Sequence, residues 1–323
     1  MLCGYLFRRK NGRHQPGKSL VQLSGGEPTV RDDLPEIIAF AKACGAKYVQ
    51  LNSNGIRLAE DEDFVKSLAE AGLSFVFMQF DGTNNFIQKK LRNKALLETK
   101  LKAIAHCDKY HLGVTLVPTL VQGVNTGNIG EIIKLALTLS PAVRGVHFQP
   151  ASYFGRIPNI PNNDERFTLG ELLDAIPKQT AGLVKPENLI PSCCDHPLCG
   201  FHGSFVVLPE GALMPLTLRE NKNAMCSCNQ NPAEQNREYV GSRWQRGECC
   251  SSEDEVDLNT LEGFAKRGKA YGFTITAMVF QDAWNLDLNR LRYCSLHVYR
   301  EGRHVPLCAN YLTSVHGEKL NRK

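Results

Sequence analysis

Between residues 19 and 150 the chain alternates short apolar runs with helical periods, and this alternation constrains the fold more than any other feature. Ser19–Leu23, Lys47–Leu51, Ser74–Phe80, Gly113–Val117 and Gly145–Gln149 read as strands. Between them lie stretches with apolar residues at i, i+3, i+4 and i+7, the spacing that puts side chains on one helix face. Leu34, Ile37, Ile38 and Ala41 form the first such face, with Asp32 or Asp33 as cap, Pro35 in the first turn and Gly45 at the end. Asp63–Ala71 carries Phe64, Val65, Leu68 and Ala69. Leu96–Cys107 carries Leu97, Leu101, Ile104 and Ala105, and Asn128–Leu139 carries Ile132, Leu135, Ala136 and Leu139. A helix between strands allows the chain to return and add the next strand in parallel. The expectation is an α/β fold, an open or partial barrel of parallel strands.

After Pro150 the pattern changes. Thr168–Gln179 reads as a helix opened by a Thr168/Glu171 capping box. From Pro186 onward the chain is rich in Pro, Gly, Asn and Cys, with Phe205–Leu208, Leu258–Tyr271 and Phe273–Phe280 as its periodic elements. Nine of the twelve cysteines fall here: Cys193, Cys194, Cys199, Cys226, Cys228, Cys249, Cys250, Cys294 and Cys308. A chain of 323 residues with 42% apolar residues does not need disulfide staples. Its start, MLCGYLFRRK, has the wrong charge order for an export signal. The expectation is a cytoplasmic protein whose C-terminal third holds metal or an iron–sulfur cluster. A net charge of +5 without a basic block argues against nucleic acid, and no apolar run is long enough for a membrane span.

The string Val21-Gln-Leu-Ser-Gly-Gly-Glu-Pro-Thr29 follows a strand and precedes a helix. Glycines there let backbone groups approach a ligand, or simply form a tight turn. The whole string resembles the GGEPT motif of radical S-adenosylmethionine (SAM) enzymes. Leu51-Asn-Ser-Asn-Gly55, Gln79-Phe-Asp-Gly82, Val117-Pro-Thr-Leu-Val121 with Gly123-Val-Asn125, and His147-Phe-Gln-Pro-Ala-Ser152 with Gly155 and Arg156 resemble the later strand ends of that superfamily. The order, with GFTITAMVFQDAWNLDLNRLRYCSLHV near the end, resembles a branch that includes tetraether lipid synthase and pterin dimethyltransferase-like proteins.

The resemblance implies a partial TIM-type (βα)6 barrel lacking its first strand, over residues 1–180, and a Cys-rich auxiliary-cluster extension over residues 181–323. It implies that Gly25, Gly26 and Glu27 approach the SAM amine and that Pro28 shapes the turn. Ser53 and Asn54 would lie near the methionine or ribose, and Gln79, Asp81, Gln149 and Ser152 would face cofactor or substrate. One departure stands out. The superfamily holds a 4Fe-4S cluster on CxxxCxxC upstream of GGEP, whereas only Cys3 precedes Gly25 here. An N-terminally truncated sequence accounts for this, through a late start or a selenocysteine codon read as a stop. A natural variant that has lost the cluster is the alternative. Cys194 and Cys199 are ligand-capable positions five apart, and the segments around Cys294 and Cys308 match places where the same branch carries cysteines; these four are the expected ligands of a 4Fe-4S or Fe/Zn site. Cys226, Cys228, Cys249 and Cys250 could supply a further site.

Two functions follow as expectations. One is a radical SAM enzyme that makes a 5′-deoxyadenosyl radical for methylation, alkylation or carbon–carbon bond formation on a small-molecule or lipid-like substrate, with an external electron donor. This chain would be inactive for want of cluster cysteines. The other is a non-catalytic iron–sulfur protein for binding or electron transfer.

Overall fold

The structure is a computed structural model and describes residues 3–4, 19–155, 160–191, 195–217, 241–246, 257–300 and 302–320. Its centre is one mixed eleven-stranded sheet. The strands are β1 (Cys3–Gly4), β2 (Ser19–Ser24), β3 (Ala46–Ser53), β4 (Phe75–Gln79), β5 (Gly113–Val117), β6 (Thr119–Leu120), β7 (Val143–Pro150), β8 (Ile190–Pro191), β9 (Gly200–Val207), β10 (Leu213–Pro215) and β11 (Gly272–Met278). The path runs β1-β2-β3-β4-β5-β7-β11-β9-β10, with β6 on β7 and β8 on β9. From β2 through β7 to β11 every neighbouring pair on the path is parallel. The sheet is consistent with a partial barrel of the (βα) type.

The helices between the strands are α1 (Leu34–Ala43), α2 (Ile56–Glu60), α3 (Glu62–Glu70), α4 (Asn85–Arg92), α5 (Leu97–Lys109), α6 (Ile129–Thr138) and α7 (Leu169–Gln179). Thr168 and Glu171 close the expected capping box. Asp33 stands at the first N-cap but makes no side-chain cap bond. On α5 the buried stripe is Lys100, Ala103, Ile104 and Cys107, and the expected Ala105 is exposed.

Alternation along each strand separates two apolar clusters. Val49, Leu51, Val76, Met78, Val114, Leu116, Val146 and Phe148 face the helices and join Leu34, Ile38, Leu68, Ile104 and Ile132 in the main core. Burying each such Leu or Ile contributes ~1.5–3 kcal/mol. Tyr48, Phe75, Phe77 and Trp244 form the second cluster, on the concave side. Trp244 belongs to a helical turn at 241–244 that packs against the sheet. Its carbonyl lies so close to Gly113 that a Cβ there would sit 2.1 Å from it, so that position requires glycine.

The C-terminal part differs from the expectation of a loop-rich appendage. β9 spans eight buried residues rather than a short run at Phe205–Leu208, and it pairs antiparallel with β8, β10 and β11 inside the same sheet. Arg144 ties this part in. Its guanidinium is 1% exposed and donates to the carbonyls of Arg243 (2.9 Å), Lys269 (3.0 Å) and Ala270. The last two end helix α8 (Leu261–Ala270), where a cation meets the negative pole of the helix. Beyond β11 come α9 (Leu288–Arg292), the antiparallel hairpin of β12 (His297–Arg300) and β13 (Arg303–Pro306), and α10 (Leu307–Tyr311).

Candidate functional site

Three polar regions gather at or just inside the C-terminal ends of the parallel strands. The first is built from the ends of β2, β3 and β4. Gly25 has φ +152°, and a Cβ on Gly26 would meet nothing within 4 Å, so the backbone of this turn is exposed to approach. Pro28 opens a short helical turn over Pro28–Val30. The Glu27 carboxylate stitches two strand ends together. Its Oε1 accepts from Thr29 N (3.2 Å), Thr29 Oγ1 (2.7 Å) and Ser53 Oγ (2.9 Å), and its Oε2 from Asn54 N (2.6 Å). The Asn54 side chain accepts from Ile56 N, and its carbonyl accepts from the Lys100 ammonium.

Asp81, 1% exposed, is held by Arg92 through Nε (2.7 Å) and Nη2 (3.1 Å), and accepts from Thr119 N (3.1 Å). Gln79 turns its carboxamide oxygen to the same arginine. Asn125 donates to the Asp81 and Thr119 carbonyls, 2.8 Å each, locking the next loop.

The second region is a cavity of about 430 Å³ on the concave face. Gln22 and Ser24 of β2, Gln50 and Asn52 of β3, and His147 and Gln149 of β7 line it, with Phe77 and Trp244 supplying aromatic surface. Of the strand-end residues expected from sequence, Gln149 faces this cavity. Ser152 donates to the Phe280 carbonyl (2.9 Å), joining the loop after β7 to the loop after β11. Buried Asp282 reinforces that joint, accepting from both Arg166 terminal nitrogens (2.8 and 3.0 Å) and from Tyr153 N (3.0 Å). His147 bonds Thr276 Oγ1 (2.8 Å), and burial pushes its pKa down to about 4, so it stays neutral at neutral pH. Gln22, Gln50, Asn52 and His147 were not among the residues that the sequence led us to expect at a ligand, although three of them lie in the quoted motifs. Their signal was period-two polarity, Gln22/Ser24, Gln50/Asn52 and His147/Gln149, in strands otherwise apolar.

The third region is sulfur-rich. Cys199 lines the cavity and accepts from Arg290 Nε (3.3 Å). Cys308 accepts from Gln281 N (3.3 Å), and Cys294 donates to the Leu296 carbonyl (3.1 Å). Cys308 lies within electrostatic reach of both Cys199 and Cys294. Burial raises the Cys294 thiol to about 12 and pushes Cys308 up as well. Two pairs of the expected ligands, Cys199 with Cys308 and Cys294 with Cys308, are thus near enough to interact electrostatically. The fourth, Cys194, lies outside the described residues, as do Arg156, Cys193, Cys226, Cys228, Cys249 and Cys250. Among the described residues, no group of three or more His, Cys, Asp or Glu side chains is placed to hold a metal ion. Among them too, no helix is long and apolar enough to cross a membrane.

Comparison with known proteins adds to this geometry. Residues 9–136 match the Radical SAM superfamily. The chain is 29% identical, over 95% of its length and 69% of the relative's, to 7,8-dihydro-6-hydroxymethylpterin dimethyltransferase of Methanocaldococcus jannaschii. It is 30% identical to Fe-coproporphyrin III synthase of Methanosarcina barkeri, over 46% of this chain and 36% of that one. It is 35% identical to a probable GTP 3′,8-cyclase of Thermococcus kodakarensis, over 36% of each chain. On the matched residues and these relatives together, membership of the radical SAM superfamily is well supported.

Proposed function

We propose that these 323 residues act as a non-catalytic unit of radical SAM ancestry, which binds a small molecule and uses its sulfur-rich region for iron–sulfur binding or electron transfer. One observation carries this reading. Cys3 is the only cysteine before Gly25, so the three thiolates of a SAM-cleaving cluster are not within this chain upstream of the glycine turn. The residues present do not fit that cluster. The ligand loops around Gly25, Gly26, Glu27, Ser53 and Asn54 would still receive SAM or a similar ligand. Gln22, Gln50, Asn52 and Gln149 offer carboxamides whose paired donors and acceptors suit the edge of a nitrogen heterocycle.

In this reading residues 1–180 supply the strand-end loops and residues 181–323 the sulfur ligands Cys194, Cys199, Cys294 and Cys308. The branch is that of the pterin dimethyltransferase and tetraether lipid synthase, the ligand pterin-like or lipid-like, the electron donor external and the compartment cytoplasmic. Identity to a pterin dimethyltransferase over 95% of the chain favours the pterin-like ligand.

The test is anaerobic purification, followed by iron and sulfide analysis, SAM and pterin titration by calorimetry, and a search for 5′-deoxyadenosine with dithionite present. SAM or pterin binding without 5′-deoxyadenosine is expected. Formation of 5′-deoxyadenosine at enzyme-like rates overturns the reading. Zinc without acid-labile sulfide removes the electron-transfer role. A second reading, radical methylation, alkylation or carbon–carbon bond formation, is favoured by the same dimethyltransferase identity. It requires that a CxxxCxxC segment added ahead of Met1 restore SAM cleavage.

A further inference from the structure

Helix α5 carries a lysine on its buried stripe. Lys100 is 1% exposed and shares that stripe with Ala103, Ile104 and Cys107. Its ammonium donates to the carbonyl of Asn54. The charged groups that face it come from three elements: Glu27 in the turn after β2, Asp81 after β4, and Arg92 of α4. Burying an ammonium is costly, and a methionine would fill the stripe without that cost. The charge sits where three strand ends meet. Among the described residues Asp81 has Arg92 as an ion-pair partner, whereas the hydrogen-bond donors to Glu27 are neutral. Lys100 faces both carboxylates while gripping the Asn54 peptide between them.

We propose that Lys100 is a positioning residue for ligand binding at the strand ends: as an ammonium it holds the Asn54 peptide between Glu27 and Asp81, and so fixes the backbone of residues 25–27 and 53–54 for the ligand. This rests on the reading that the strand ends bind a ligand. Burial, with a smaller push from Arg92, lowers the Lys100 pKa from 10.5 to about 8, against the opposing pull of Asp81 and Glu27. Between those values the folded chain holds fewer protons than the unfolded chain. The Lys100 contribution to stability therefore rises with pH while its hold on Asn54 loosens. A merely structural lysine would show no fall in binding as stability rises.

The experiment uses the 323-residue chain, SAM as probe, and the variants K100R and K100M. Wild-type affinity relative to K100R should fall about fivefold from about pH 7 to about pH 9, and the ligand's own titration cancels in that ratio. Over the same interval, amide exchange at residues 53–56, corrected for its intrinsic pH dependence, should rise while the urea midpoint does not fall. K100M should bind about tenfold more weakly than wild type at about pH 7 and lack the pH step. K100M binding like wild type, or corrected exchange at 53–56 flat across this range, overturns the proposal. Should either variant fail to fold, the wild-type exchange series decides alone. If the wild type binds no SAM at any pH, the ligand reading fails, and the exchange series still decides whether Lys100 holds the loops.

Discussion

The strand-end network and the cavity lie on the same sheet but are held differently. At the ends of β2, β3 and β4 the polar side chains bond one another: Glu27 to Thr29, Ser53 and Asn54, and Asp81 to Arg92 and Thr119. All these residues fall between 27 and 119, so neighbouring strand–helix units complete the network. The cavity joins β2 and β3 to residues of β9, β11, α10 and the turn at 241–244. Its polar groups line open space even where they bond one another, as Gln50 does to Asn52 (2.8 Å), and its walls, Cys199 among them, come from segments far apart in sequence. The first region shapes backbone; the second presents side chains. Mutations should therefore act on stability and loop order in the first, and on ligand contact and titration in the second.

The largest effect expected from breaking that contrast is acid sensitivity in the cavity. His147 is held near pKa 4 in the fold against 6.5 when free, so the unfolded chain binds more protons between those values. Stability should fall as pH drops from about 6.5 to about 4, by up to about 3 kcal/mol from this group. Urea midpoints measured across that range should flatten in His147→Phe. Glu27→Ala comes next. It removes an acceptor of four hydrogen bonds and should cost about 2 kcal/mol, with faster amide exchange at Asn54 and unchanged exchange in β9. Asp81→Asn leaves Arg92 poorly matched. Since that arginine is 33% exposed, a cost of about 1 kcal/mol in thermal or urea unfolding is expected. Cys199→Ser should change stability by less than about 0.5 kcal/mol, because the thiol is partly exposed. On the proposed iron–sulfur reading it should nonetheless lower the iron content of anaerobically purified protein.

The strands from 19 to 150 were legible because each sends buried apolar residues toward the helices and a helical period separates one strand from the next. The Thr168/Glu171 cap was legible because a capping box is local. β9 was not, because Gly200, His202, Gly203 and Ser204 are small or polar and look like loop, yet all are buried. Their burial depends on β11, about seventy residues on. Lys100 was missed for a related reason. Periodicity searches follow apolar residues, and the true stripe of α5 contains a charge. At the strand ends the sequence marks Glu27 and Asp81 as polar positions, but not their partners, since Arg92 and Lys100 approach from helices whose register only packing fixes.

The placing of β11 between β7 and β9 bears on how a ribosome can make this chain. Synthesis delivers β9 at residues 200–207 and β10 at 213–215 well before β11 at 272–278 exists. Until then the facing edges of β7 and β9 have unpaired backbone groups, the state in which nascent sheets join other chains. The last long strand made must slot between two already synthesised, and Arg144 can reach its carbonyls at Lys269 and Ala270 only once α8 has emerged. Nascent chains released before residue 272 would be the aggregating species, and a chaperone that shields sheet edges would raise the yield of the whole protein.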